Sequence, residues 1–530
     1  MKNILRALLP ALFLFGSILN GFSQPLSPRQ IDRLVQRSMK TFDVPGMAVA
    51  VIKDGKVILA KGYGVRSIKT GKKVDTHTLF AIASNSKAFT TAALAILADR
   101  GKLHWDDRVQ KYIPEFQVYS PYVSADFRIR DLVTHRSGLG LGAGDLMIFP
   151  DGNNFTLPEL IHNLRYLRQE TPFRSKFAYD NLLYVVAGEV VHRVSGMSWE
   201  DFVQKNIFDK LGMTETAPSL RRVKDRSDLA EAHAFANGKL TIVERYNQPL
   251  ADPAGGINSN VHDLIKWVQC RLNGGRYGDS LQYRLFSAKE AREMFSPQTI
   301  LQPAKDTIYN THFLDYGLGW FMKDVKGYKM IWHTGGLAGM VTQISMIPEL
   351  RLGIIVLTNQ ESGAAFHCIT DQIVDGYVGV TGVDRVAQYK AKVDKRDAWA
   401  KRITQETWEK VKAQQAQHKQ APDLKPFTGT YRDVWFGNVD VTLKDGSLWL
   451  DSERSPRMAG RLVWYKDHVF IVKWQDRSMH ADAFVSFGSN FQGEPSEIKM
   501  KAVSPLTDFS FDFQDLDFHR VNQNVSRKGH

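Results

Sequence analysis

"ASNSKAFT", residues 83–90, lies between a short apolar run (Leu79 to Ile82) and a longer one (Ala92 to Leu97). Ser, Asn, Ser and Lys together at the mouth of a buried helix need a reason. Ser84 suits a helix cap, but Lys87 falls one turn further along the same face. An ammonium aimed into an apolar interior is costly. The stretch reads either as a cap followed by a surface charge, or as a nucleophile followed by its base.

Ser-x-x-Lys alone decides nothing, and the chain carries its own control in Ser496-Glu497-Ile498-Lys499. That copy sits in a β-patterned stretch, where positions three apart point to opposite faces. A helix over 85–100, stopped by Gly101, would instead bring Ser84 and Lys87 together. Two further elements follow. Tyr179-Asp180-Asn181 precedes the helical run "LLYVVAGEVV", and His333-Thr334-Gly335-Gly336 follows the apolar run "YKMIW". A literal Lys69-Thr70-Gly71 is set aside. It precedes the Ser, in a polar turn followed by Lys72 and Lys73, with no strand to hold it.

In this order the three elements resemble the serine β-lactamase and penicillin-binding-protein superfamily. Tyr-x-Asn in the middle points to the class C β-lactamase branch, with its D,D-peptidases, D-amino-acid peptidases and esterases. "HRSGL" (135–139), "PAGGINSN" (253–260) and "YGLGW" (316–320) are similar to landmarks of that branch, and the resemblance covers roughly residues 27–380. It implies an acyl-enzyme on Ser84, with Lys87 or Tyr179 as base and the two titrating as a pair. It further implies that Asn181 holds Lys87 and the substrate amide, and that the backbone N–H groups of Ser84 and Gly336 bind the oxyanion. His333 and Thr334 would face the leaving-group side, and Gly335 would help to bind substrate. His at 333, where lactamases carry Lys, is shared with peptidase and esterase members and points away from efficient β-lactamase activity. No metal or cofactor is implied. The substrates would be amides or esters, foremost D-amino-acid-containing peptides or cell-wall fragments. The competing class is a non-catalytic penicillin-binding-type sensor.

Around these motifs the chain divides by composition. "MKNILRALLPALFLFGSILNGFSQ" has a basic start, an apolar run and small residues, which predicts a signal peptide over 1–23 and an exported protein, periplasmic or secreted. After cleavage no stretch is apolar enough for a stable membrane span. The net charge of +13 is scattered, without basic runs interleaved with aromatics, so nucleic acid is not an expected partner. Export makes a Cys270–Cys368 disulfide chemically possible without deciding it.

Residues 46–65 predict two strands turning at Asp54-Gly55. Helical stretches and glycine-rich loops alternate from 102 to 260, with helices at 182–194, 199–211 and 261–273; strands are expected at 328–333, 339–347 and 352–358. The expected fold class is α+β: one antiparallel sheet built from both ends of a segment spanning 24–383, flanked by helices, with a helical subdomain. Residues 384–424 are charged and glutamine-rich and predict a solvated helical connector. Residues 425–530 alternate in short runs, from "FTGTY" to "FSFDFQ", and predict a small all-β, barrel-like domain, lipocalin-like by resemblance. A solvated connector further predicts that this unit can be removed without unfolding the rest.

Overall fold

The computed structural model describes residues 24–417 and 422–521. The expected signal peptide lies outside the described residues.

Asp54 and Gly55 both take positive φ (52° and 76°), closing the tight turn between β1 (Gly46–Lys53) and β2 (Lys56–Gly64). Seven of the eight β1 residues are buried because both faces of the strand are covered. Met47, Val49 and Val51 pack with Ile31 and Val35 of α1 (Pro28–Thr41). Ala48, Ala50 and Ile52 face the opposite core, which contains α2 (Lys87–Asp99), α3 (Leu182–Ser195) and α4 (Val261–Leu272).

The remaining strands come late in the chain: β3 (Thr299–Leu301), β4 (Leu314–Tyr316), β5 (Phe321–Val325), β6 (Tyr328–Leu337), β7 (Met340–Ile347) and β8 (Leu352–Thr358). The sheet order is β2-β1-β8-β7-β6-β5-β4-β3, antiparallel throughout. The sheet is thus built from both ends of the segment, as expected. Helix α5 (Gly363–Val378) joins α1 on one face. Cys270 and Cys368 are free, buried thiols in the cores on opposite faces of the sheet, so they do not pair.

Four details differ from the sequence reading. Strand β6 runs past His333 to Leu337 because β7 keeps pairing with it, Gly336 opposite Val341. The stretch 199–211 is not one regular helix, since Gln204–Phe208 is π-helical. The connector segment is one long helix, α6 (Arg385–Gln417), but it is not simply solvated: Val386 packs with the α1/α5 core and Val411 with the barrel residues Ile471 and Val503. The last expected strand, "FSFDFQ", belongs to no strand.

The C-terminal unit is a closed eight-stranded barrel, running from Gly429–Asp433 to Phe518–Arg520. It docks on the sheet domain, and their apolar residues form one continuous core. Arg454 pairs with Glu159 at 3.0 Å, Arg457 with Asp151, and Asn163 Nδ2 donates to the Trp435 carbonyl at 2.8 Å. The connector is therefore not the only tie between the two domains: a charged connector says nothing of what the domains bury against each other.

Candidate active site

Helix α2 is buried from Lys87 to Leu97, so its start lies deep in the fold. The chain enters it through a 3-10 turn, Ala83–Ser86. Ala83 takes a φ of 50°, a strained value for a residue with a Cβ. The sharp turn leaves Ser84 the only partly accessible residue among Ala81–Lys87.

Lys87 is 0% exposed, and its Nζ donates to Ser84 Oγ at 3.0 Å, Asn181 Oδ1 at 2.7 Å and the Ala254 carbonyl at 2.9 Å. Burial pulls its pKa down to about 7; the carboxyls of Asp145 and Asp180 oppose the shift without cancelling it. Near pH 7 the free amine and the ammonium are therefore both populated.

Tyr179 presents its ring face to Lys87, with Nζ 4.8 Å from the centroid. The ring stacks on His135 at 4.1 Å. Burial pushes the Tyr179 phenol far above its ordinary value; a hydrogen bond with Ser84 opposes this only in part. A phenolate here is unfavourable, so of the two candidate bases the electrostatics favour Lys87.

Gly335 is required by packing: a Cβ there would sit 2.1 Å from the Ile82 carbonyl. Strand β6 thus presses against the Ser84 turn. Strand β5 pairs with β6 only as far as Trp332, so His333–Leu337 has no β5 partner on that edge. Gly336 is exposed and a Cβ there would meet only Val341, at 3.9 Å. Thr334 is half-buried beside it.

His333 is buried. Its Nδ1 donates to the Thr334 carbonyl at 2.6 Å, and Tyr316 Oη lies 3.1 Å from Nε2. Burial, with Lys87 nearby, brings its pKa to about 3, so it is a neutral hydrogen-bonding group across the working range. Tyr316 also meets Tyr184, whose hydroxyl donates to the Val133 carbonyl at 2.8 Å.

The structure thus gathers Ser84, Lys87, Tyr179, Asn181 and His333–Gly336 into one cluster. It adds residues to which the motifs assign no role. Asp145 Oδ2 accepts from Asn181 Nδ2 at 2.7 Å, and burial raises its pKa to about 8. Asp180 is pushed up to about 7, again by burial. From the barrel, Phe509 meets the Tyr179 ring edge-on at 5.7 Å and packs over Gly142, where a Cβ would lie 2.7 Å from the Phe509 carbonyl. The signals were present: "HRSGLGLGAGD" ends on Asp145, and "TDFSFDFQDLDF" contains Phe509. Apart from the cleft, His77, Glu215 and His262 form an exposed group with ligand atoms within 4.8 Å of one another; Glu215 is held by His77 and Asn260.

The beta-lactamase family profile matches residues 31–376, well over half the chain. The chain belongs to that family. A second profile, a domain of unknown function (DUF3471), matches residues 413–520, the barrel and the end of α6. Among curated proteins, the unguisins hydrolase ungD of Aspergillus violaceofuscus is 27% identical over 389 residues, 70% of this chain and 68% of that protein. The related hydrolase ungD' of Aspergillus campestris is 27% identical, over 81% of this chain and 79% of its own length. Protein flp of Staphylococcus aureus is 26% identical over 63% of this chain and 64% of that protein. The octameric penicillin-binding protein homologue from Pyrococcus abyssi shares the fold with a TM-score of 0.57 at 19% identity, covering 93% of this chain and all of that one. Among the described residues of this family member, no helix is long and apolar enough to cross a membrane.

Proposed function

We propose that the protein is an exported serine hydrolase, periplasmic or secreted, that forms an acyl-enzyme on Ser84. The observation that carries this is the buried Lys87 amine, 3.0 Å from Ser84 Oγ and lowered to about 7. A serine hydroxyl needs such a base to attack a carbonyl. In the first step Ser84 Oγ bonds to the carbonyl carbon, its proton passes to Lys87 Nζ, and the carbonyl electron pair moves to oxygen. The backbone N–H groups of Ser84 and Gly336 receive that oxyanion. The Lys87 ammonium then protonates the departing amine or alcohol as the scissile bond breaks. Water repeats the sequence to release the acid, and no metal or cofactor takes part.

Substrates are amides or esters, foremost D-amino-acid-containing peptides or cell-wall fragments. The neutral His333 offers no cation on the leaving-group side, which favours groups without a free carboxylate there and ranks β-lactams below esters and peptides. Two relatives are named hydrolases, in keeping with this chemistry. Treatment with a fluorophosphonate, followed by mass spectrometry, tests the reading. One adduct on the Ser84 peptide is expected, with turnover of D-aminoacyl amides or esters that Ser84→Ala lacks. An adduct elsewhere, or an active Ser84→Ala, would overturn it.

A further inference from the structure

Residues 507–516, between the last two barrel strands, reach into the hydrolase domain at the turn that holds Asp145. Ser510 is buried, and its hydroxyl donates to Asp145 Oδ2 at 2.8 Å. The same oxygen accepts from Asn181 Nδ2, and Asn181 Oδ1 accepts from Lys87 Nζ. Two residues on, the Asp512 carboxylate accepts from the N–H groups of Gly144 at 2.6 Å and Leu146 at 3.2 Å, one on each side of Asp145. The barrel therefore holds Asp145 by its side chain and by the backbone flanking it.

This matters because an amide has one accepting and one donating end. A fixed Asp145 oxygen commits Asn181 to present Nδ2 to it and hence Oδ1 to Lys87. If Asp145 drifts, Asn181 is free to rotate, and the amine loses the partner that keeps it beside Ser84. We propose that Ser510 and Asp512 of the barrel are positioning residues for the base, so that docking of the barrel sets the reactivity of Ser84. This rests on the serine-hydrolase reading of the same cleft.

The relay carries charge as well as geometry. Lys87 is faced by Asp145 and Asp180, by Tyr179 and Tyr184, and by His135 and His333. Asp145 is faced by Lys87, Asp180, Asp512 and Tyr246. The Ser510 hydroxyl favours the Asp145 carboxylate. Without it the carboxyl, already raised to about 8, keeps its proton to still higher pH; the fractional negative charge it offers Lys87 near neutrality shrinks, and the amine deprotonates at slightly lower pH.

The test is the rate at which an alkyl fluorophosphonate labels Ser84 in the full-length protein, as a function of pH. For Ser510→Ala we expect a plateau roughly tenfold lower. Its acid limb should move to lower pH by about a few tenths of a unit. Ser510→Thr, which keeps the hydroxyl, should restore both. Asp512→Asn leaves one acceptor for two N–H groups and should lower the plateau, which serves if Ser510→Ala does not fold. A Ser510→Ala profile identical to wild type would overturn the relay, as would a uniform loss of rate with an unmoved limb and a lowered melting temperature. Absence of Ser84 labelling in the wild-type chain would overturn the hydrolase reading itself, and the relay with it.

Discussion

Ser84-x-x-Lys87 and Ser496-x-x-Lys499 share one motif and nothing else. In the first, a 3-10 turn leads straight into a buried helix, and Nζ lies 3.0 Å from Oγ, shielded from solvent. In the second, a barrel strand (Pro495–Ala502) alternates Ile498 and Met500 inward with Glu497, Lys499 and Lys501 outward. Ser496 lies on the face of Ile498, and Lys499, half in solvent, pairs with Asp517 at 2.5 Å. The two copies differ in burial and helical period, and the proposed chemistry depends on both. The serine needs a lysine on its own face, and the lysine needs an environment that lowers its pKa. His333-Thr334-Gly335 and Lys69-Thr70-Gly71 repeat the lesson: the first lies in a sheet strand against the Ser84 turn, the second in an exposed turn.

The sharpest way to break the comparison is to remove the two serines. Ser84→Ala should abolish covalent labelling and cut turnover by ~1,000-fold or more, whereas Ser496→Ala should leave both unchanged. Equal effects on kcat/KM would show that the context argument fails.

Removing the two lysines comes next. Lys87→Met deletes the base and should lower kcat by ~100- to 10,000-fold. Lys499→Met removes an exposed ion pair and should move stability by no more than about 1 kcal/mol, read by denaturant unfolding. A Lys87→Met enzyme with near-normal kcat would shift the base role to Tyr179.

His333→Lys has the smallest expected effect. It places a cation where the native site has a neutral imidazole. The ratio of kcat/KM for carboxylate-bearing substrates over simple esters, at about pH 7.5, should rise by roughly tenfold. An unchanged ratio would mean that this position does not set leaving-group preference. Wild type should show no His333 ionisation between about pH 5 and 8, because the group has already lost its proton near 3.

Much of this was legible in the sequence for a physical reason. The sheet could be read from alternation in 46–65 and from the late apolar runs, and Ser84 with Lys87 from helical period. The unread part is tertiary. Asp145 and Ser510 lie 365 positions apart, and only the packing of two domains makes them neighbours. "FSFDFQ" alternates like a strand, yet its two faces bury against different partners rather than joining a ladder. Phe511 packs on Phe149 and Phe513 on Trp474, while Ser510 and Asp512 point at the Asp145 turn. Period two reports two environments, not strand pairing. The charged surface of α6 likewise conceals the buried residues, Val386 and Val411, that tie it to both domains.

The central claim is that a neutral, buried Lys87 takes the proton from Ser84. The pH dependence of the single-turnover acylation rate with an ester lacking a carboxylate tests it most directly. The rate should rise through one ionisation near 7 and then level off, following the lowered Lys87 pKa. A rate flat through neutrality and rising only towards about pH 10, where an ordinary phenol or amine ionises, would contradict it.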